Sequence, residues 1–200
     1  MTDAAAPSAP ASNAQIDEIR AGSGRIDVVI HAAGVIEDRL HSEKSATSFN
    51  RVFDTKVHGA RTLMSRLGED VKVCAFFSSI AAVFGNAGQC DYAAANDVLD
   101  GFSRSGGSKT SAHCLSVNWG PWRGAGMVNE ELQARHRERA FGLLEPRDAA
   151  AAFIDELLCG VEPQVVLSAE LPRAFMGLKL LPSNRYPVQD SAFDEQRVAE

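Results

Sequence analysis

Three apolar runs constrain the fold of this chain more than any other feature: IDVVIHAAG at 26–34, VKVCAFFSS at 71–79 and AHCLSVNWG at 112–120. Each is continuous rather than alternating and rich in β-branched or aromatic residues. That pattern predicts strands buried on both faces, as in a parallel sheet. The segments between them have helical spacing. From Lys44 to Leu67, apolar side chains recur at Phe49, Val52, Phe53, Val57, Ala60, Leu63, Met64 and Leu67, and Gly68 closes the helix. A further helix is predicted over 91–102, followed by a Gly/Ser loop at 103–108. Ile16 to Ala21 reads as the end of an earlier helix stopped by Gly22 and Gly24. Beyond the third strand come a glycine-rich loop at 121–126 and a charged helix at 128–140, whose Arg135 to Arg139 run is most simply a solvated face. A helix then opens at Pro146, and a last strand, QVVLS, covers 164–168. Strands alternating with helices predict an α/β fold, a Rossmann-like parallel sheet with helices on both faces. In such sheets ligands bind at the carboxyl ends of the strands.

Composition narrows the function. Two hundred residues suit one domain, and 20 basic against 26 acidic residues leave a net charge of −6. That balance argues against nucleic acid as a partner. No apolar run approaches the ~18 residues of a membrane span, and MTDAAAPSAPASN lacks the basic and apolar regions of a secretory signal. The expected compartment is therefore the cytoplasm, with no membrane partner. Four cysteines stand singly, as reduced core-filling thiols, and the five histidines share no metal spacing, so no metal site is expected. Residues 1–13 read as a flexible N-terminal segment, 14–171 as the folded domain, and the proline-bearing 172–200 as an irregular tail.

The unusual residues cluster at the predicted strand ends. The first strand ends in His31-Ala32-Ala33-Gly34, the second in Ser78-Ser79, and the third in Asn118-Trp119-Gly120-Pro121-Trp122. Small residues there let a flat ligand approach the backbone, although tight helix–strand packing accounts for them equally well. Tyr92 opens the helix that follows the second strand, 13 residues after Ser79, and Asn96 lies one turn on, on the same side. Lys56 sits in the preceding helix within FDTKVHGA. Singly these read as a surface aromatic, a solvated amide and an exposed lysine. A hydrolase is disfavoured, because no glycines flank Ser78-Ser79 as a nucleophile elbow needs.

Together the residues resemble a family. Through HAAG, TKVHGA, FSSIAAVFGNAGQCDYAAAN and VNWGPWRGAGM, from about Asp17 to Leu171, the chain is similar to the short-chain dehydrogenase/reductase superfamily. It most resembles the ketoreductase domains of modular polyketide synthases. With Lys56 on the earlier helix and Asn96 after Tyr92, the arrangement looks like the swapped one of those synthase domains.

The resemblance implies NADPH-dependent reduction of a β-ketoacyl thioester, carried on an acyl carrier protein, to the β-hydroxyacyl thioester. Its implied catalytic residues are Lys56, Ser79, Tyr92 and Asn96. Tyr92 would donate the proton and Ser79 would hydrogen-bond the carbonyl oxygen. Lys56 would lower the Tyr92 pKa and hold the cofactor ribose, while Asn96 would support Lys56 and a water chain. Implied cofactor contacts are His31, Ala32, Ala33, Gly34, Lys56, Tyr92, Asn118, Trp119, Gly120 and Pro121, with Gly124 and Gly126 as hinges of a following lid. Ile36-Glu37-Asp38 and Phe84, at positions of stereochemical signatures, resemble the class giving the D-configured alcohol.

The superfamily's Gly-rich turn between a strand and a helix has no counterpart, since Gly22-Ser23-Gly24 leads into a strand. The chain therefore resembles the carboxyl-terminal, catalytic half of a ketoreductase, lacking the N-terminal strands and Gly-rich loop. Three expectations follow: a ketoreductase segment, a truncated non-catalytic form, or a half-domain that docks on a separate chain carrying the cofactor-binding half. The last follows from the first strand, whose edge would otherwise be unpaired.

Overall fold

The computed structural model describes residues 13–106, 111–124 and 142–169. Among these residues the chain begins with α1 (Asn13–Ser23), β1 (Val28–His31), a short 3-10 turn (His41–Glu43) and α2 (Ala46–Met64). Next come β2 (Val73–Ser79), α3 (Ile80–Phe84), α4 (Cys90–Gly106) and β3 (His113–Trp119). The last are α5 (Pro146–Cys159) and β4 (Gln164–Leu167). The helix predicted over 128–140 and the loop residue Gly126 lie outside the described residues, as do residues 1–12 and 170–200.

The described strands form one all-parallel sheet in the order β1-β2-β3-β4. Register places Val29, Cys74 and Cys114 in one row and Ile30, Ala75 and Leu115 in the next. Because side chains alternate along a strand, these rows belong to opposite faces. Cys74, Phe76 and Cys114 pack with Ala60 of α2 and Leu99 of α4 on one face. Ala75, Leu115, Val117 and Trp119 pack with Ala149 and Phe153 of α5 on the other. The two apolar rows of β2 and β3 thus each meet a helix, which is the α/β architecture the sequence pattern requires.

Local signals set the helix boundaries. The Ser45 side chain accepts the Ser48 N–H at 3.1 Å and starts α2, so this helix begins two residues after the predicted Lys44. Pro146 occupies the first turn of α5, where its missing N–H costs nothing. Gly24, at φ 77°, ends α1 in the left-handed region. The sequence missed α3: a single turn of five residues carries too little periodicity to register.

One expectation is corrected. The first apolar run is not buried on both faces, because Val28 and Ile30 are each 46% exposed. They lie on the face that α5 covers over the other strands, but β1 is at the sheet's edge, beyond that helix's reach. Among the described residues no strand pairs with the outer edge of β1.

Candidate active site

Lys56 is placed by α2. Its side chain is buried, and its Nζ donates to the Phe77 carbonyl at 2.8 Å. Burial pulls the ammonium down to about 8, while the charge of Asp100 pushes it partly back. The helix turn bearing Lys56 is itself braced, since His31 Nε2 donates to the Lys56 carbonyl at 2.9 Å. Burial, the largest influence, holds the His31 ring down to about 4, so it is neutral in the physiological range. The His31 side chain therefore joins β1 to α2. Ala32, Ala33 and Gly34 follow it at the strand end with partly or fully exposed surfaces.

Ser79 ends β2 and caps α3, its Oγ accepting the Ala81 N–H at 3.1 Å. Tyr92 sits in the first turn of α4, buried against Val52 of α2 and Ala81 of α3. Burial drives its phenol up from the usual tyrosine value, hydrogen bonding from Ser79 and Asn96 draws it partly back, and the Asp38 charge adds to the rise. The sequence reading had Lys56 lowering Tyr92. Desolvation of the ring dominates instead, and the Lys56 ammonium lies 5.5 Å over the face of that ring. Asn96 donates from Nδ2 to the Tyr92 carbonyl at 2.7 Å, and its buried Oδ1 has no hydrogen-bond partner among the described residues. The fold thus brings together all four residues that the sequence singled out as catalytic.

At the end of β3, the Asn118 side chain turns inward. Its Nδ2 donates to Asp100 Oδ2 at 2.8 Å, Ser78 Oγ at 3.0 Å and the Ser79 carbonyl at 3.1 Å. Its Oδ1 accepts from Gln164 Nε2 at 2.9 Å. With every polar atom engaged, this side chain joins β2, β3, β4 and α4 rather than facing a ligand. Trp119 packs on Phe77 and Trp122, with ring centroids 5.2 and 4.9 Å apart. Gly120 donates its N–H to the Leu167 carbonyl at 2.7 Å, and a Cβ there would sit 2.9 Å from Ser168 Oγ. The Pro121 carbonyl accepts the Leu144 N–H at 2.8 Å.

A family model described as the KR domain matches residues 2–124, more than half of the chain. The chain belongs to the KR-domain family. Its relatives are ketoreductase domains of polyketide synthases, of the short-chain dehydrogenase/reductase type. A polyunsaturated fatty acid synthase chain of Thraustochytrium sp. is 34% identical over 145 residues, covering 72% of this chain and 5% of the relative. The erythronolide synthase EryA3 of Saccharopolyspora erythraea is 35% identical over 127 residues, 63% of this chain and 4% of the relative. Among solved structures, PlmKR1, the ketoreductase from the first module of phoslactomycin biosynthesis in Streptomyces sp. HK803, superposes with a TM-score of 0.72 at 32% identity. That match covers 78% of this chain and 36% of the other. The chain thus spans about a third of the solved KR domain and a small part of the curated synthases.

This KR-domain chain also carries functional geometry that the sequence reading passed over. Lys44 donates to the Glu37 carbonyl at 2.6 Å and forms an ion pair with Asp91, immediately before Tyr92. Asp38 accepts both hydrogen bonds of the Gln89 amide, at 3.0 and 3.1 Å, and the Arg39 N–H meets the Gly88 carbonyl at 3.0 Å. Glu37 accepts from Ser48 and Arg51, each at 2.6 Å. The Ile36-Glu37-Asp38 loop is therefore fastened beside Tyr92. Among the described residues no group of three metal-ligating side chains occurs, and no described helix is long and apolar enough to cross a membrane.

Proposed function

We propose that residues 14–171 are the catalytic segment of a ketoreductase that reduces a β-ketoacyl thioester, held on an acyl carrier protein, with NADPH. The observation that carries this is the convergence of Tyr92, Ser79 and Asn96 beside a buried Lys56. Reduction of a ketone leaves an alkoxide, which needs a proton and a hydrogen-bond donor. Tyr92 suits the first task because burial keeps its phenol protonated across the neutral range. Ser79 suits the second: its Oγ accepts from Ala81, and the hydroxyl hydrogen it gives the Tyr92 phenol can turn to a carbonyl oxygen bound beside that phenol.

The residues fit one end of the dinucleotide. Lys56 has three N–H donors and spends one on Phe77, which leaves two for ribose hydroxyls. The unpartnered Asn96 Oδ1 offers an acceptor beside Tyr92 and Lys56 for a water that would carry protons back to the phenol. NADPH, when bound, supplies the hydride. The backbone of Ala32 to Gly34 and of Trp119 to Pro121 would line its position. Among the described residues no Gly-rich turn joins a strand to a following helix, so the phosphate end has no cradle in this segment.

A docked half-domain is favoured by a separate observation, the exposed Val28 and Ile30 beside the free edge of β1. A chain carrying the Gly-rich half would cover both. A truncated, non-catalytic form is the remaining reading. Turnover of a β-ketoacyl N-acetylcysteamine thioester with NADPH decides among them. Activity lost in Tyr92→Phe supports the catalytic segment. Activity only on adding the strand–Gly-rich-loop–helix half of a KR domain supports docking, and no activity in either case supports the non-catalytic form. A Tyr92→Phe chain with full turnover would overturn the assignment of the proton donor.

A further inference from the structure

We propose that Asp100 is a positioning residue of this site, the fixed interior counter-charge that holds Lys56 as an ammonium. It lies two turns after Tyr92 on α4 and is 1% exposed. Oδ1 accepts from Ser116 Oγ at 2.5 Å, and Oδ2 accepts from Asn118 Nδ2 at 2.8 Å and Gln164 Nε2 at 3.0 Å. All three donors are neutral, and among the described residues Asp100 makes no ion pair. Such bonds occupy the carboxylate oxygens but leave the net charge uncancelled. The nearby Arg104 guanidinium turns to Gln164 Oε1 at 2.6 Å and to Asp97 at 3.9 Å, both at the surface side of the network.

Lys56 presents the complementary case. It is buried, and its ammonium donates to a neutral carbonyl, that of Phe77. The groups facing it are the neutral His31 ring from β1, the Tyr92 ring from α4, and Asp100, also from α4. The Asp100 carboxylate reaches the same strand end: Asn118 Nδ2 links it to Ser78, the residue after the Phe77 whose carbonyl takes the Lys56 ammonium, and its charge opposes the downward pull of burial. Each interior charge is solvated by dipoles alone, and each is the opposite charge the other lacks. The carboxylate is held in place by two strands: Asn118 and Ser116 come from β3 and Gln164 from β4. Asn118 also grips the end of β2 through Ser78 and Ser79.

The inference rests on the ketoreductase reading only for its consequence in turnover; the coupling itself is measured without substrate. Lysine labelled with carbon-13 at Cε, titrated by NMR in the whole chain, gives the Lys56 midpoint, its signal identified by its loss in Lys56→Met. In folded Asp100→Asn that midpoint is expected to fall by about one pH unit. An unmoved midpoint in a folded variant would overturn the proposal. Should Asp100→Asn not fold, Asp100→Ser, which keeps a hydroxyl for Asn118, is titrated in its place; the same fall of the Lys56 midpoint is expected, and an unmoved midpoint overturns the proposal equally. Coupling with no ketone reduction would count against the ketoreductase reading alone.

Discussion

Lys44 and Asp91 form an ion pair with side chains 2% and 1% exposed, directly ahead of Tyr92 in the chain. The pair joins the Glu37 loop to the start of α4. Asp91 Oδ1 also accepts the Tyr92 N–H at 2.9 Å, where the helix dipole favours a negative charge. A buried pair is costly to break from one side, because the remaining charge has no solvent to turn to. Asp91→Ala should cost about 3–5 kcal/mol in urea unfolding, and the double change Lys44→Met with Asp91→Leu far less. A single substitution costing under about 1 kcal/mol would show that water reaches Lys44.

Stability should climb with pH on the alkaline side. Lys56 titrates at about 8 in the folded chain against 10.5 for an ordinary, solvated lysine, so between those values the unfolded chain binds more protons. Unfolding free energy then rises as pH rises through this window, by on the order of 3 kcal/mol. Denaturant titrations at pH 7.5 and 10.5 measure it. Lys56→Met should lose this contribution, and a rise of the same size in that variant would assign it to another group.

The acid side has a different source. His31 is held down to about 4 from 6.5, chiefly by burial. Its stabilising contribution is complete above pH 6.5 and is lost as pH falls toward 4, where the unfolded ring takes up a proton first. About 3 kcal/mol is at stake. His31→Gln keeps a donor for the Lys56 carbonyl and cannot titrate, so its stability should decline less between pH 6.5 and 4. An unchanged acid limb would mean that His31 is charged in the folded chain.

Much of this was legible in the sequence because periodicity and strand ends carry it. The runs at 71–79 and 112–120 became β2 and β3, and Lys56, Ser79, Tyr92 and Asn96 came together where the parallel sheet places its ligands. Asp100 and Asp91 were not legible as a site, because a carboxylate on a helix looks the same in sequence whether it meets water or two strands. The side-chain partners of His31 and Asn118 were hidden for a related reason. Both stand at strand ends, but alternation turns their side chains to the α4 face and into hydrogen bonds with Lys56 and Asp100. The exposure of Val28 and Ile30 depended on where β1 sits in the sheet, and an apolar run does not encode its own place in the order.

That place in the order makes a last prediction. An edge strand with an unpaired ladder and exposed Val28 and Ile30 is a template for another strand. Alone in solution, the chain should self-associate through β1, with a weight-average mass that rises with concentration in sedimentation equilibrium. Ile30→Lys places a charge on the exposed face without touching the row of Val29 and His31, which packs toward α2 and α4. It should reduce the association while leaving the unfolding midpoint within a few degrees of the parent. Self-association equally strong in Ile30→Lys would place the contact elsewhere on the chain, and a chain monomeric at every concentration would mean that β1 is covered.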